Sequence, residues 1–105
     1  MTQRLQDKTA IITGSTLGIG KACARLFARE GAYVVINSHR DDEAAAALRA
    51  ELDPARSLFV QADVADAAAM QALADAALAR FGRIDVLVNN AGMNVFADPL
   101  EMTQA

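Results

Sequence analysis

The 105 residues hold one cysteine, Cys23, and one histidine, His39. A lone cysteine excludes an internal disulfide framework and fits a reducing compartment. With one Cys and one His, a Cys/His-rich metal cluster is excluded, and no metal site is expected. No apolar run approaches the roughly 20 residues needed to span a bilayer. Met1 is followed by polar residues, not by an apolar signal region. The expected location is therefore the cytoplasm, with no membrane partner. The formal net charge is −3 and no basic patch occurs, so nucleic acid is not an expected partner. Repeats, linkers and a second domain are also missing. What remains is one small domain over residues 1–105, and its hydrophobic content of 53% is too high for a disordered chain.

What is present is a regular alternation of strand and helix patterns. A first strand is predicted near Lys8 to Thr13. A helix from about Gly18 to Glu30 follows, with Ile19, Ala22, Cys23, Leu26 and Phe27 at the spacing of a buried stripe. Gly31 is a natural stop for it. Tyr33 to Asn37 is a β-branched run, as in a strand covered on both faces. Asp41, Asp42 and Glu43 put negative charge at the start of a second helix, which Pro54 is expected to end. Leu58 to Val60 is the third strand. Asp66 is a plausible N-cap for a third helix striped by Met70, Leu73, Ala74, Ala77, Leu78 and Phe81, with Gly82 as its stop. Ile84 to Val88 is the fourth strand, and Asn94 to Ala105, with Pro99 and Thr103, is read as a tail. The order βαβαβαβ predicts an α/β fold: a Rossmann-type parallel sheet with helices on both faces. Right-handed crossovers give strand order 3-2-1-4. The chain reads as the first half of a doubly wound domain. Its fourth strand is then a long apolar edge, so aggregation or oligomers are expected of the isolated chain.

The most informative segment is Thr13-Gly14-Ser15-Thr16-Leu17-Gly18-Ile19-Gly20. It joins the first strand to the first helix. Glycines permit a tight turn and close approach of an anion with no Cβ in the way. A helix start adds unpaired N–H groups and the positive end of its dipole. A nucleotide is the natural guest. A ligand-free strand-to-helix turn is the bland alternative.

Two further motifs lie at the same end of their strands: Asp63-Val64 after the third and Asn89-Asn90-Ala91-Gly92 after the fourth. With the glycine spacing, they resemble the short-chain dehydrogenase/reductase family over nearly the whole chain. The resemblance implies hydride transfer between NAD(P)H and a small-molecule carbonyl or alcohol. It implies that Gly14, Gly18 and Gly20 form the turn against the cofactor, with Ile19 near the pyrophosphate. Asp63 would bond the adenine amino group, with Val64 beside the ring. Asn89 would brace the sheet, and Asn90, Ala91 and Gly92 would line the ribose side. A homo-oligomer is also expected.

The choice of dinucleotide turns on the end of the second strand. An acid there holds the 2′-hydroxyl of NAD, and a basic neighbour accepts the 2′-phosphate of NADP. Here the strand ends Asn37-Ser38-His39-Arg40. Ser38 stands in the place of the acid, and Arg40, with Ser15 and His39, offers a place for a phosphate. Against this, Leu17 stands where many NADP-preferring relatives carry a basic residue. The balance leans to NADP over NAD. His39 reads more simply as a solvated loop residue, and Cys23 as an inert core thiol.

The family's proton transfer uses a serine, a tyrosine and a lysine four residues after the tyrosine. The only tyrosine is Tyr33, whose +4 position is Asn37, and no Tyr-x-x-x-Lys occurs in the chain. Ser15, Ser38 and Ser57 are not in the family's catalytic position. No catalytic residue is assigned, and the 105 residues are expected to be inactive alone. Two alternatives stay open: a stand-alone dinucleotide-binding module, or one that pairs its edge strand with another chain. A Rossmann-type methyltransferase also needs a glycine loop, but has no use for Asn89 to Gly92.

Overall fold

Alternate residues of the strands carry the fold. The computed structural model describes residues 5–90 and the backbone of residues 94–96. Strand β1 (Thr9–Thr13) is buried at every position, and β2 (Tyr33–Ser38) at all but its first. Strands β3 (Ser57–Gln61), β4 (Val86–Asn89) and β5 (Asn94–Phe96) complete a sheet of order β3-β2-β1-β4-β5. The β3-β2-β1-β4 portion is parallel, with the predicted order. Helices α1 (Gly18–Arg29) and α2 (Glu43–Glu51) cover one face, and α3 (Ala67–Phe81) covers the other.

Register explains this division. Ile11 pairs with Val35 and with Leu87, and these three pack with Leu73 and Ala77 of α3. One residue on, Ile12 pairs with Ile36 and with Val88, and these pack with Ala24 of α1 and Leu48 of α2. A period of two sends each consecutive pair to opposite layers, so the middle of a doubly covered strand reads as a near-continuous apolar run.

The helix ends follow the expected chemistry. Asp42 caps α2 by accepting from the Ala45 N–H, and Asp66 caps α3 by accepting from the Ala68 N–H. Gly31 and Gly82 take φ of 90° and 83° at the ends of α1 and α3, a conformation that disfavours any Cβ.

Four details differ from the sequence-based expectation. Pro54 does not end α2, which stops at Glu51; it opens a short 3-10 turn, Pro54–Arg56, capped by Asp53. Pro at a helix start loses no N–H that would have been bonded. Strand β4 is not an edge, because β5, at the start of the segment read as a tail, pairs with it antiparallel. Leu78 of α3 is 45% exposed, off the buried face. In α1, Ile19 and Leu26 are 63% and 47% exposed, and the buried residues are Gly20 and Ala24. The helix is turned by about one position relative to the predicted stripe. Its cause is the close approach of Gly20 to the loop before it. Pro99 and Thr103 lie outside the described residues. Among the described residues, no helix is long and apolar enough to cross a membrane.

The amino ends of the strands have their own fastening. The backbone N–H of Thr9, fully buried, donates to a carboxylate oxygen of Asp85 at 2.8 Å, and the Asp85 N–H donates to the Thr9 carbonyl at 2.9 Å. Arg83 donates to the same carboxylate at 2.7 and 2.6 Å. Burial pushes the Asp85 carboxyl up, but the Arg83 and Thr9 donors, with the charges of Arg83 and Lys8, more than offset it and hold it below the ordinary carboxylate value. At the same end Tyr33 stacks on Phe81, centroids 4.7 Å apart, under the Arg56 guanidinium.

Replacing Asp85 by Ala orphans the buried Thr9 N–H and is expected to destabilise the fold by about 1–3 kcal/mol. Because folding lowers the Asp85 pKa, its contribution is full above the ordinary carboxylate pKa and is lost as pH falls through the folded value. Urea unfolding between neutral pH and acid is expected to show this loss, and the Asp85→Asn variant a shallower one.

Candidate functional site

All four parallel strands end at one edge of the sheet, and the sequence motifs follow those ends. The loop Gly14–Leu17 leaves β1, Ser38–Arg40 leaves β2, Asp63-Val64 follows β3, and Asn90 follows β4. In open α/β sheets this is the edge where ligands bind.

Gly14 is at the centre. Its φ is 58°, and its peptide groups are held from both sides by asparagine side chains. The Gly14 N–H donates to Asn37 Oδ1 at 3.2 Å, and Asn90 Nδ2 donates to the Gly14 carbonyl at 2.9 Å. Asn37 Nδ2 reaches the other way, donating to the carbonyls of Val60 and Ala62 at 3.0 and 3.2 Å. Four strand ends are thereby linked in one row of hydrogen bonds. Thr13 adds a bond from its hydroxyl to Asn89 Oδ1 at 3.2 Å.

Ser15 is fully buried. Its hydroxyl accepts from the Asn37 N–H at 2.7 Å and donates to the Asn37 carbonyl at 3.2 Å, while its own N–H donates to that carbonyl at 2.8 Å. A hydroxyl engaged in this way braces the loop from inside. Ser38 is also buried, and its hydroxyl accepts from the Arg40 N–H at 3.2 Å. The side chains of His39 and Arg40 are exposed beside it.

The glycines divide the work. A Cβ on Gly20 would stand 2.5 Å from the Gly14 carbonyl oxygen and 2.7 Å from Asn90 Nδ2. Only hydrogen fits there. Gly18 has φ 57°, and a Cβ on it would meet nothing within 4 Å. The space before the helix is open.

That helix is also uncapped. Leu17, at the N-cap, makes no side-chain hydrogen bond, and no acid lies in the first turn. Asp42, Asp53 and Asp66 supply caps to α2, the 3-10 turn and α3. The first N–H groups of α1 have no carbonyl within the helix to bond. With the dipole behind them, they suit an anion. The exposed apolar side chains of Leu17 (69%) and Ile19 (63%) flank this opening.

Asp63 is exposed, and its Oδ1 accepts from the Ala65 N–H at 3.0 Å. Val64 is half-buried against the α3 side of the core. Ala91 and Gly92 lie outside the described residues. Among the described residues, no group of three or more His, Cys, Asp or Glu could hold a metal ion. Tyr33, the only tyrosine, lies at the opposite edge of the sheet, where β2 begins. Cys23 is partly buried against the α1 face of the core.

Sequence reasoning missed Asn37. Its signal was a polar residue closing an otherwise apolar strand, at a position the strand period sends inward.

Comparison with known proteins agrees with these motifs. The family model for short chain dehydrogenase matches residues 8–105. Glucose 1-dehydrogenase 2 of Bacillus subtilis is 44% identical over 108 residues, covering 98% of this chain and 41% of that protein. The structure of 3-ketoacyl-(acyl-carrier-protein) reductase of Brucella melitensis complexed with NADH superposes with a TM-score of 0.71 at 40% identity, covering 79% of this chain and 34% of that one. The C-domain of a bacterial malonyl-CoA reductase with NADP gives 0.77 at 32% identity, covering 84% and 15%. The chain spans well under half the length of the curated relatives it matches.

The two glycines separate in a stability experiment. Gly20→Ala forces a Cβ against a backbone carbonyl and is expected to cost about 1–3 kcal/mol through overpacking. Gly18→Ala carries only the penalty of a left-handed backbone, about 1–2 kcal/mol. In denaturant unfolding, Gly20→Ala is expected to be the more damaging of the two.

Proposed function

The chain belongs to the short chain dehydrogenase family, and on that premise we propose that its 105 residues are the dinucleotide-holding part of an NAD(P)-dependent oxidoreductase. The observation that carries this is the uncapped start of α1, set in the family's glycine loop at the same sheet edge as Asp63 and Asn90.

The residues suit such a guest. A pyrophosphate placed before Gly18 meets the first N–H groups of α1, in space that a Cβ would otherwise fill. Gly14 and Gly20 shape the turn, and Ile19 lies alongside. The Asp63 carboxylate accepts from an exocyclic amine, as an adenine carries, with Val64 beside the ring. Asn90, through its bond to Gly14, fixes the ribose side, and Ala91 and Gly92 belong to the same assignment. A bound nicotinamide dinucleotide supplies the hydride donor or acceptor for a carbonyl or alcohol carbon. The protein's part is position and exclusion of water.

Relatives carrying NADH and NADP leave the choice between them open. The proposal leans to NADP on the β2 exit. Ser38 brings no negative charge there, and exposed Arg40, with His39, offers a cation for a 2′-phosphate. Proton transfer is assigned to residues outside this chain, so the 105 residues alone are proposed to bind without turning substrate over. A cytoplasmic setting and self-association complete the proposal; the exposed leucines Leu17, Leu26 and Leu78 support the latter.

Calorimetric titration tests this. NADPH is expected to bind about tenfold more tightly than NADH, the equivalent of about 1.4 kcal/mol. Arg40→Ala is expected to remove that difference by weakening NADPH alone. Tighter NADH would reverse the cofactor preference. A folded, monodisperse sample that binds neither would end the dinucleotide assignment.

A further inference from the structure

Asn37 is 2% exposed, and its polar groups all bond to neighbouring strand ends. Its Oδ1 accepts from Gly14, on the exit of β1, and its Nδ2 donates to Val60 and Ala62, on the exit of β3. Its backbone exchanges three hydrogen bonds with Ser15. One side chain thus holds the loop that starts α1 and, in the opposite direction, the peptide immediately before Asp63.

We propose that Asn37 is a positioning residue that sets the distance between the phosphate loop at Gly14-Ser15 and the adenine end at Asp63, so that one ligand can occupy both. This rests on the dinucleotide assignment above. Buried beneath the loop, the Asn37 amide acts through Gly14 and Ala62 and has no contact of its own with ligand.

The chemistry selects an amide. The position needs one acceptor on one side and a double donor on the other, in a single plane. Asn supplies both at the right length. Aspartate keeps the acceptor but turns a carboxylate onto two carbonyls. Leucine offers neither. The energetic logic is preorganisation: a ligand that spans two subsites gains most when their separation is already correct. A ligand confined to one subsite gains nothing from it. This distinguishes positioning from a purely structural role, which would affect all ligands alike.

The test uses three probes on the full chain and on its Asn37→Asp variant. ADP spans both subsites, adenosine takes the adenine end alone, and inorganic pyrophosphate takes the loop alone. The expected result is an ADP dissociation constant raised about tenfold or more, with adenosine and pyrophosphate changed by less than about twofold. An equal loss on all three probes, or an unchanged ADP affinity, overturns the proposal. A second measurement needs no substitution, and decides the matter if the variant does not fold. ADP at saturation is expected to slow hydrogen exchange of the Gly14 amide at least about threefold more than adenosine or inorganic pyrophosphate does, since that amide bonds to Asn37 Oδ1 and ADP alone of the three spans both subsites. No excess slowing by ADP overturns the proposal while leaving the dinucleotide assignment intact. Absence of binding by every probe to the unmutated chain removes that assignment, and the proposal with it.

Discussion

The carboxyl edge of the sheet depends on one residue held from two sides. Gly14 donates its N–H to Asn37 and accepts at its carbonyl from Asn90, with a backbone φ of 58° that a larger residue disfavours. A strand that ends at a ligand site loses its ladder partners there, and its last polar groups must bond elsewhere. Here two asparagine side chains replace the ladder. They also fix where the following helix begins, because the bonds leave the loop little freedom to shift.

The position of α1 follows from that. Gly20 must lie against the Gly14 carbonyl, where a Cβ would come to 2.5 Å. The contact sets the rotation of the helix about its axis. Ala24, one turn on, then faces the sheet, and Ile19 and Leu26 turn outward. A loop constraint overrides the most hydrophobic choice of face. The first N–H groups of α1 meet no capping side chain from Leu17, and the space beside Gly18 is open. Stability and openness are therefore in tension at this point: an aspartate at position 17 would cap the helix and fill the space in front of it.

The sequence was most legible where a single period governs. Strand order 3-2-1-4 was readable because β-branched runs alternate with helical patterns and crossovers have one hand. Asp42, Asp66, Gly31 and Gly82 were readable because caps and stops are local chemistry. The glycine loop, Asp63 and Asn90 were readable as motifs. What escaped depended on contacts distant in sequence. The facing of α1 is decided by Gly14 and Asn90, and Asn90 lies 76 residues from Gly14. The buried state of Ser15 depends on Asn37, 22 residues away. β5 escaped because a three-residue strand has too few residues to display a period.

Shaping and gripping fall to different residues in this site. The residues that shape it, Gly14, Ser15, Gly20, Asn37 and Asn90, are bonded to one another or packed together, so a change at one is transmitted to the rest. The residues proposed to grip, His39 and Arg40 on the β2 exit and Asp63 on the β3 exit, are exposed on two loops, and no side chain of the three bonds to another among the described residues. Changes on such loops act almost independently. An edge built this way can exchange the charge beside Ser38 while the cradle stays as it is. The converse does not hold: a substitution in the cradle moves several backbone groups together, and any ligand that relies on them is affected whatever its 2′-substituent.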